Sequence, residues 1–240
     1  MLISRNKMSY MRNDHPTPGD ASAAFTAAHA RAYVEGPPRQ VPGFASLHRM
    51  TAMLLAERVP ADGRVLVLGA GGGLELKALA DDHPGWHFDG VDPSADMLRV
   101  AEEIAAAHRD RIRLHAGYVD AAPDGPFDGG TCLLTLHFVP RDQRLETLRQ
   151  LHRRLRPGAP FVVAHISFPQ AEPERALWIA RHVAFGGIDP AHAESAKQAI
   201  ATRLAILSPE EDALMLREAG FSDVSLFYAG LSFRGWVGYA

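Results

Sequence analysis

Between residues 64 and 167 the chain alternates short, nearly unbroken apolar runs with longer stretches whose apolar residues recur every three or four positions. RVLVLG (64–69), WHFDGVD (86–92), RIRLHA (111–116), GGTCLLTLHFV (129–139) and PFVVAHIS (160–167) read as strands. Residues 74–81, SADMLRVAEEIAAAH (94–108) and RDQRLETLRQLHRRLRPG (141–158) read as the helices between them. Met97, Leu98, Ala101, Ile104 and Ala105 share one face of the second helix, with Ser94 as its N-cap. Leu145, Leu148, Leu151 and Leu155 share one face of the third, which a Pro-Gly pair stops. Strands apolar on both faces belong in a parallel sheet covered on both sides. Right-handed crossovers then make that sheet doubly wound.

The flanks follow other patterns. Ala21–Tyr33 is alanine-rich and helix-like, EGPPRQVPG (35–43) is loop, and Phe44–Val59 is a second helix carrying Leu47, Met50, Met53, Leu54 and Leu55. After the fifth strand the rhythm breaks, and residues 170–207 hold two helices around PERALWIARHVAF and PAHAESAKQAIATRLAIL. SPEEDALMLREAG (208–220) is a helix with Ser208 as N-cap, Pro209 in its first turn, Glu211 closing a capping box and Gly220 as its stop. FSDVSLFYA and LSFRGWVGY, separated by Gly230, lie too close in sequence to be parallel and form an antiparallel hairpin. The expected fold is α/β: a doubly wound, seven-stranded, mainly parallel sheet with an antiparallel C-terminal hairpin and a helical lid. Residues 19–240 are expected to form a single domain with N-terminal helices (19–60) and a helical insert (170–207). Residues 1–18, polar and with extra methionines at Met8 and Met11, read as a disordered lead-in or a misplaced start.

Composition narrows the functional classes. The 240 residues are 47% hydrophobic and 22% charged, with a formal net charge of −3, so no basic surplus points to nucleic acid or an anionic membrane. No apolar stretch approaches the ~20 residues of a membrane span, and no signal-peptide block opens the chain, so a cytoplasmic location is expected. The single cysteine, Cys132, cannot close a disulfide within the chain, and no metal site is expected.

The candidate chemistry begins where the first strand runs into three spaced glycines, Gly69, Gly71 and Gly73, and a helix starts at once. At the C-terminal edge of a doubly wound sheet such a turn lets a ligand approach the backbone, and the helix N-terminus offers free N–H groups. The spacing is Gly-x-Gly-x-Gly with Leu74 next, which departs from the dinucleotide fingerprint, and the Gly-Lys-Ser/Thr of a phosphate loop is missing. A tight turn with no ligand would use the same residues. Asp92, at the tip of the second strand and followed by Pro93 and Ser94, is placed to accept both hydroxyls of a ribose, and would equally serve as a helix cap.

These residues resemble the class I S-adenosylmethionine (SAM)-dependent methyltransferases. VLVLGAGGG is similar to that family's first motif, GVDPSADMLRVA to its second and FDGGTCLLTLHFV to its fourth, and the closing antiparallel hairpin distinguishes the family from dinucleotide dehydrogenases. VPGF (41–44), the two-helix insert and the C-terminal tail resemble the carboxy-SAM synthase group and its methyltransferase-like relatives. The resemblance implies that Gly69, Ala70, Gly71 and Gly73 line the methionine part of SAM, and that Asp92, with Pro93, holds the ribose. It implies that Met97 packs on the adenine, that Tyr118 and Val119 lie beside it with Asp120 near its amine, and that Leu134, Thr135 and Leu136 border the methyl-transfer site. Two positions depart from the pattern. Val67 stands where the family usually carries an acid that helps to hold the SAM amino group, and Lys197 stands where the synthases carry an arginine for a substrate carboxylate.

SAM as cofactor, with S-adenosylhomocysteine (SAH) as product, implies in-line methyl transfer to a small-molecule acceptor. His137, at the end of the fourth strand, is the candidate general base, and His165, ending the fifth, is weighed beside it; either would also serve as a plain hydrogen-bonding group. Tyr33, Phe44, Trp178, Arg181 and Tyr228 are candidate substrate contacts from the lid and its surroundings. Two alternatives stay open: a carboxy-SAM synthase-like enzyme of tRNA wobble modification, and a non-catalytic module that binds SAM or SAH. A homodimer is left open.

Overall fold

The computed structural model describes residues 34–240. Tyr33, the helix read over Ala21–Tyr33 and the N-terminal lead-in lie outside the described residues. Seven strands, β1 (Arg64–Leu68), β2 (His87–Asp92), β3 (Ile112–Ala116), β4 (Gly129–Leu133), β5 (Pro160–Ile166), β6 (Ser222–Gly230) and β7 (Phe233–Tyr239), form one sheet in the order β3-β2-β1-β4-β5-β7-β6. β1 to β5 pair in parallel, and β7 inserts antiparallel between β5 and β6, as the hairpin argument requires. Chain order reverses between β1 and β4, so the ligand-binding crevice of such a sheet falls at the C-terminal ends of these strands.

The helices are α1 (Gly36–Gln40), α2 (Phe44–Ala56), α3 (Leu74–Asp82), α4 (Ala95–Ile104), α5 (Arg141–Arg154), α6 (Glu174–Phe185), α7 (Ala193–Arg203) and α8 (Pro209–Glu218). Alternation along each buried strand divides the interior into two layers. Val65 and Val67 face one layer with residues of α2, α3, α6 and α7, while Leu66 and Leu68 face the other with α5 and α8. The capping box of α8 is formed as read, with Ser208 and Glu211 exchanging side-chain-to-backbone hydrogen bonds.

Several readings differ from the structure: the stretch read as loop over 35–43 holds the short helix Gly36–Gln40, with Pro37 and Pro38 in its first turn, and the helix read over Phe44–Val59 ends at Ala56. The strand read through Val139 stops at Leu133: Leu134 turns into the left-handed region (φ 56°), and Leu136–Phe138 form a 3-10 turn. Unbroken apolarity cannot separate a strand from a buried turn, because both bury the same residues. The helix read over 94–108 ends at Ile104 and gives way to a 3-10 segment, Ala106–Arg111. The second insert helix is α7 preceded by a 3-10 turn at Pro190–His192. The residues after it run extended until Leu207 bridges Ser167 beyond β5. Met53, read on the apolar face of α2, is 60% exposed.

Candidate active site

The glycine turn is fastened to the second strand. The N–H groups of Gly69 and Ala70 both donate to the carbonyl of Val91, at 2.8 and 3.0 Å, and Gly73 N–H donates to Ala70 O at 2.9 Å. All three glycines have positive φ, but they differ in surroundings. A Cβ at Gly69 would overlap the Thr135 side chain, and one at Gly73 would lie 2.7 Å from the Cα of Ala101. These two are glycines because the protein packs against them. A Cβ at Gly71 would meet the carbonyl oxygen of Gly69 and the methyl of Met97 at 3.7 Å, ordinary van der Waals contact, so of the three this position alone has room for an added atom.

Asp92 is joined to that position. Gly71 N–H donates to Asp92 Oδ2 at 2.9 Å, and Ser94 N–H donates to Oδ1 at 2.9 Å. Each carboxylate oxygen carries two lone pairs, so each keeps capacity for one further donor. Burial raises the Asp92 pKa, and the Ser94 and Gly71 N–H groups pull against that rise. An acid with two spare acceptor sites beside an accessible glycine backbone fits a ribose and its amino-acid tail. Met97, buried beside Val100, Val34 and Ile104, brings its methyl group close to the same glycine segment. Gly117 N–H donates to Asp92 O at 3.0 Å, which holds the turn after β3 to the same edge. On that turn Tyr118 is 60% exposed, Val119 is buried in the layer with Leu68 and Val91, and Asp120 is exposed.

Past β4, Leu134 N–H donates to Ala164 O at 2.6 Å and Thr135 Oγ1 donates to Leu133 O at 2.9 Å. This places Thr135 against Gly69. His137 lies buried in the 3-10 turn, its carbonyl accepting from Ala205 N–H at 2.9 Å and its Nδ1 without a partner. Burial holds its pKa well below 6.5, and His165, Arg144 and His182 add to the effect. His165 points into the other layer: its Nε2 stands 3.1 Å from Asp212 Oδ2, and its ring tilts against Trp236 at 5.5 Å. It belongs to a buried polar cluster with Arg144 and Asp212, which the sequence reading did not find.

Of the substrate candidates, the structure brings together Trp178 and Arg181 on α6, the guanidinium lying 4.7 Å from the ring centroid, with Arg234 on the same ring at 5.6 Å. Phe44 packs on His48 at 4.4 Å, and Tyr228 donates its hydroxyl to Pro42 O at 2.6 Å. Lys197 on α7 pairs with Glu194 at 2.7 Å. Among the described residues no group of three or more His, Cys, Asp or Glu could hold a metal ion, and no helix is long and apolar enough to cross a membrane.

The sequence reading also missed Glu75. It sits in the first turn of α3, 7% exposed, with Oε1 lacking a hydrogen-bond partner. Burial raises its pKa to about 8, and the Thr131 side chain offsets part of that rise. The available signal was helical spacing, since Glu75 falls four residues before Leu79, on the buried face.

Strand order, the antiparallel β7, and a glycine turn hydrogen-bonded to the acid at the tip of β2 are the arrangement of the class I SAM-dependent methyltransferase fold. Residues 66–161 match the family model described as a methyltransferase domain. The chain is 26% identical over 211 residues to a carboxy-S-adenosyl-L-methionine synthase of Chromohalobacter salexigens, covering 84% of this chain and 77% of that one. Among solved structures, an O-methyltransferase family 2 protein from Planctomyces limnophilus in complex with apigenin superposes with a TM-score of 0.61 at 18% identity, over 91% of this chain. Human N-acetylserotonin methyltransferase in complex with SAM superposes with a TM-score of 0.63 at 13% identity, over 98% of this chain. The chain spans 63% and 65% of the lengths of these two structures, and at such identities the likeness is one of fold.

Proposed function

We propose that this protein binds SAM across the β1 and β2 strand ends and transfers its methyl group to a small-molecule acceptor. The observation that carries the reading is the Gly71–Asp92 hydrogen bond. It makes the glycine turn and the half-buried acid one preformed unit, so the amino-acid tail and the ribose of one ligand are addressed together. The small-molecule acceptor is supported by the structural relatives, whose names give apigenin and N-acetylserotonin as ligand or substrate.

SAM, when bound, supplies an electrophilic methyl group on a sulfonium, displaced in line by the acceptor. The chain's part is to bind, align and keep water out. The two Asp92 oxygens accept the ribose hydroxyls, and Gly71 lets the tail lie against the backbone. Leu134 and Thr135 close the floor of the site. His137 carries no charge near neutral pH, and its free Nδ1 accepts a hydrogen bond from the acceptor hydroxyl. Its low basicity suits it to orient that group. Trp178 and Arg181 of the lid, with Arg234 of β7, form a cationic, aromatic wall.

A second reading, carboxy-SAM synthesis, is favoured by the sequence relatives, while Lys197 in place of the arginine speaks against it. Mass spectrometry of ligand copurified with the protein separates the two by the mass of the carboxyl group. For the primary reading, calorimetric titration with SAH should show binding that Asp92→Ala weakens roughly ten- to hundredfold, the worth of lost charge-assisted hydrogen bonds. Equal affinity in the variant would overturn the ribose assignment, and transfer of labelled methyl groups to hydroxylated small molecules then tests the reaction.

A further inference from the structure

Glu75 is a carboxyl group in a place that stability alone does not explain. It is buried in the layer of Val65, Val67, Leu76 and Leu79, on the first turn of α3 directly after the glycine turn. An unpartnered polar atom in such a layer is costly, and an apolar residue at this position would pack with Leu76 and Leu79. The register shows what the carboxyl stands beside. Thr131, the side chain that acts on Glu75, is the parallel partner of Val67 on β1, and both strand residues face the α2–α3 layer. Oε1 of Glu75 and Oγ1 of Thr131 both lack hydrogen-bond partners. The carboxyl is thus delivered from the helix to the level of the sheet where β1, reading RVLVL, offers no acid.

The surroundings supply no counter-charge. Of the elements around it, α2 buries the imidazole of His48, which burial keeps neutral down to about pH 4, and β4 contributes the Cys132 thiol. β1 from Val65 to Leu68 and the buried face of α4 carry no ionisable side chain. A buried carboxyl with an idle oxygen, no cation of its own, and a place directly after the glycine turn is suited to receive a cationic donor from the ligand.

We infer that Glu75 is the counter-charge for the ammonium group of the bound ligand's amino-acid tail, presented from α3 because β1 has no carboxylate there. This rests on the SAM-binding reading above. The ligand's tail lies over Gly71 while its ribose is held by Asp92, so the two acids divide one ligand between them. Its recognition of the amino-acid end depends on Glu75, and its recognition of the nucleoside end does not.

The test compares SAH, which carries the amino-acid tail, with 5′-methylthioadenosine, which lacks it. Both are titrated calorimetrically into the wild type and into Glu75→Gln at pH 7, in two buffers of different ionisation heat. The free carboxyl, with its pKa of about 8, is largely protonated at pH 7 and must ionise against an ammonium group. SAH is therefore expected to release nearly one proton from the wild type and methylthioadenosine none. Glu75→Gln should lose roughly ten- to hundredfold in SAH affinity, release no proton, and hold methylthioadenosine within about twofold of the wild type. Equal effects on both ligands, or SAH binding to the wild type without proton release, would overturn the inference while leaving SAM binding intact. If the wild type binds neither compound, the SAM-binding reading falls and takes this inference with it. The proton count is read on the wild type, so it decides the matter even if the variant does not fold.

Discussion

Arg144 and Asp212 stand 3.2 Å apart in the interior, 0% and 3% exposed, joining α5 to α8 across 68 residues of sequence. Arg144 also donates to the carbonyls of Val139 and Ala205, and the N–H of Ala205 donates to His137 O. The pair therefore fastens the turn that carries His137. Burial works against the Asp212 charge, but His165, Ser167 and Arg144 together hold its pKa below 3.8.

Removing one partner of such a pair leaves a buried charge without compensation. Asp212→Asn is expected to cost about 3–5 kcal/mol of stability, whereas Arg144→Met with Asp212→Leu should recover much of that loss. Urea unfolding of the three proteins checks it. A loss from Asp212→Asn of under about 1 kcal/mol would mean that the pair is solvated in practice.

Glu75 should lower stability as pH rises. Its pKa is about 8 in the folded protein against 4.5 for a free glutamate, so between these values the unfolded chain binds fewer protons than the native one and stability falls with increasing pH. Glu75→Gln removes that dependence. It should leave stability unchanged at pH 4 and raise it by roughly 3 kcal/mol at pH 7, from about 1.4 kcal/mol per pKa unit. Thermal or urea unfolding of both proteins across this range reads the difference directly.

His48 and His182 act with the opposite sign. Burial lowers both to about 4 from 6.5, so as pH falls from 6.5 to 4 the unfolded chain takes up protons that the folded one refuses. Stability should drop through this window by up to about 3 kcal/mol for each. In urea melts between pH 7 and pH 4.5, His48→Gln should show a shallower decline than the wild type. An identical slope would place the loss elsewhere.

The glycines of the turn should separate by function. Gly73→Ala forces a Cβ to 2.7 Å from the Ala101 backbone at φ +81°, and should cost about 2–4 kcal/mol. Gly71→Ala meets only ordinary van der Waals contacts at 3.7 Å and bears the strain of its positive φ, about 1–2 kcal/mol. It should fold and yet lose SAH affinity if the ligand's tail lies against Gly71 as proposed. Melting temperature and calorimetric affinity, measured on both, distinguish the two effects.

On the proposed role of His137 toward the acceptor, His137→Ala should lower kcat roughly ten- to hundredfold with little change in SAH affinity. A parallel loss of SAH affinity would show that the substitution has displaced the turn against Gly69.

The elements that build the site were legible wherever the signal is local. The apolar run into Gly69 and the Asp92–Ser94 strand end and cap are short-range patterns, and each lies where it was read. His165 illustrates the limit. Strand alternation places it at the end of β5, but which layer its ring enters depends on the register with β7 and on Asp212 arriving from α8. The turn at Leu134 failed for a related reason, since apolar composition records burial and not backbone angle.

Sequence by itself determined the order of strands and helices, the reversal into a hairpin at the C-terminus, and the glycine turn and acid that face each other at the sheet's edge. Periodicity and turn chemistry act within a few residues, so they can be read from the chain alone. Only the tertiary structure decided that Gly71 is the least crowded of the three glycines, that Glu75 brings a carboxyl to the level of Val67, and that Arg144 finds Asp212. Those choices are made by side chains from distant segments meeting in one packed layer, where an unpartnered charge is too costly to leave undirected.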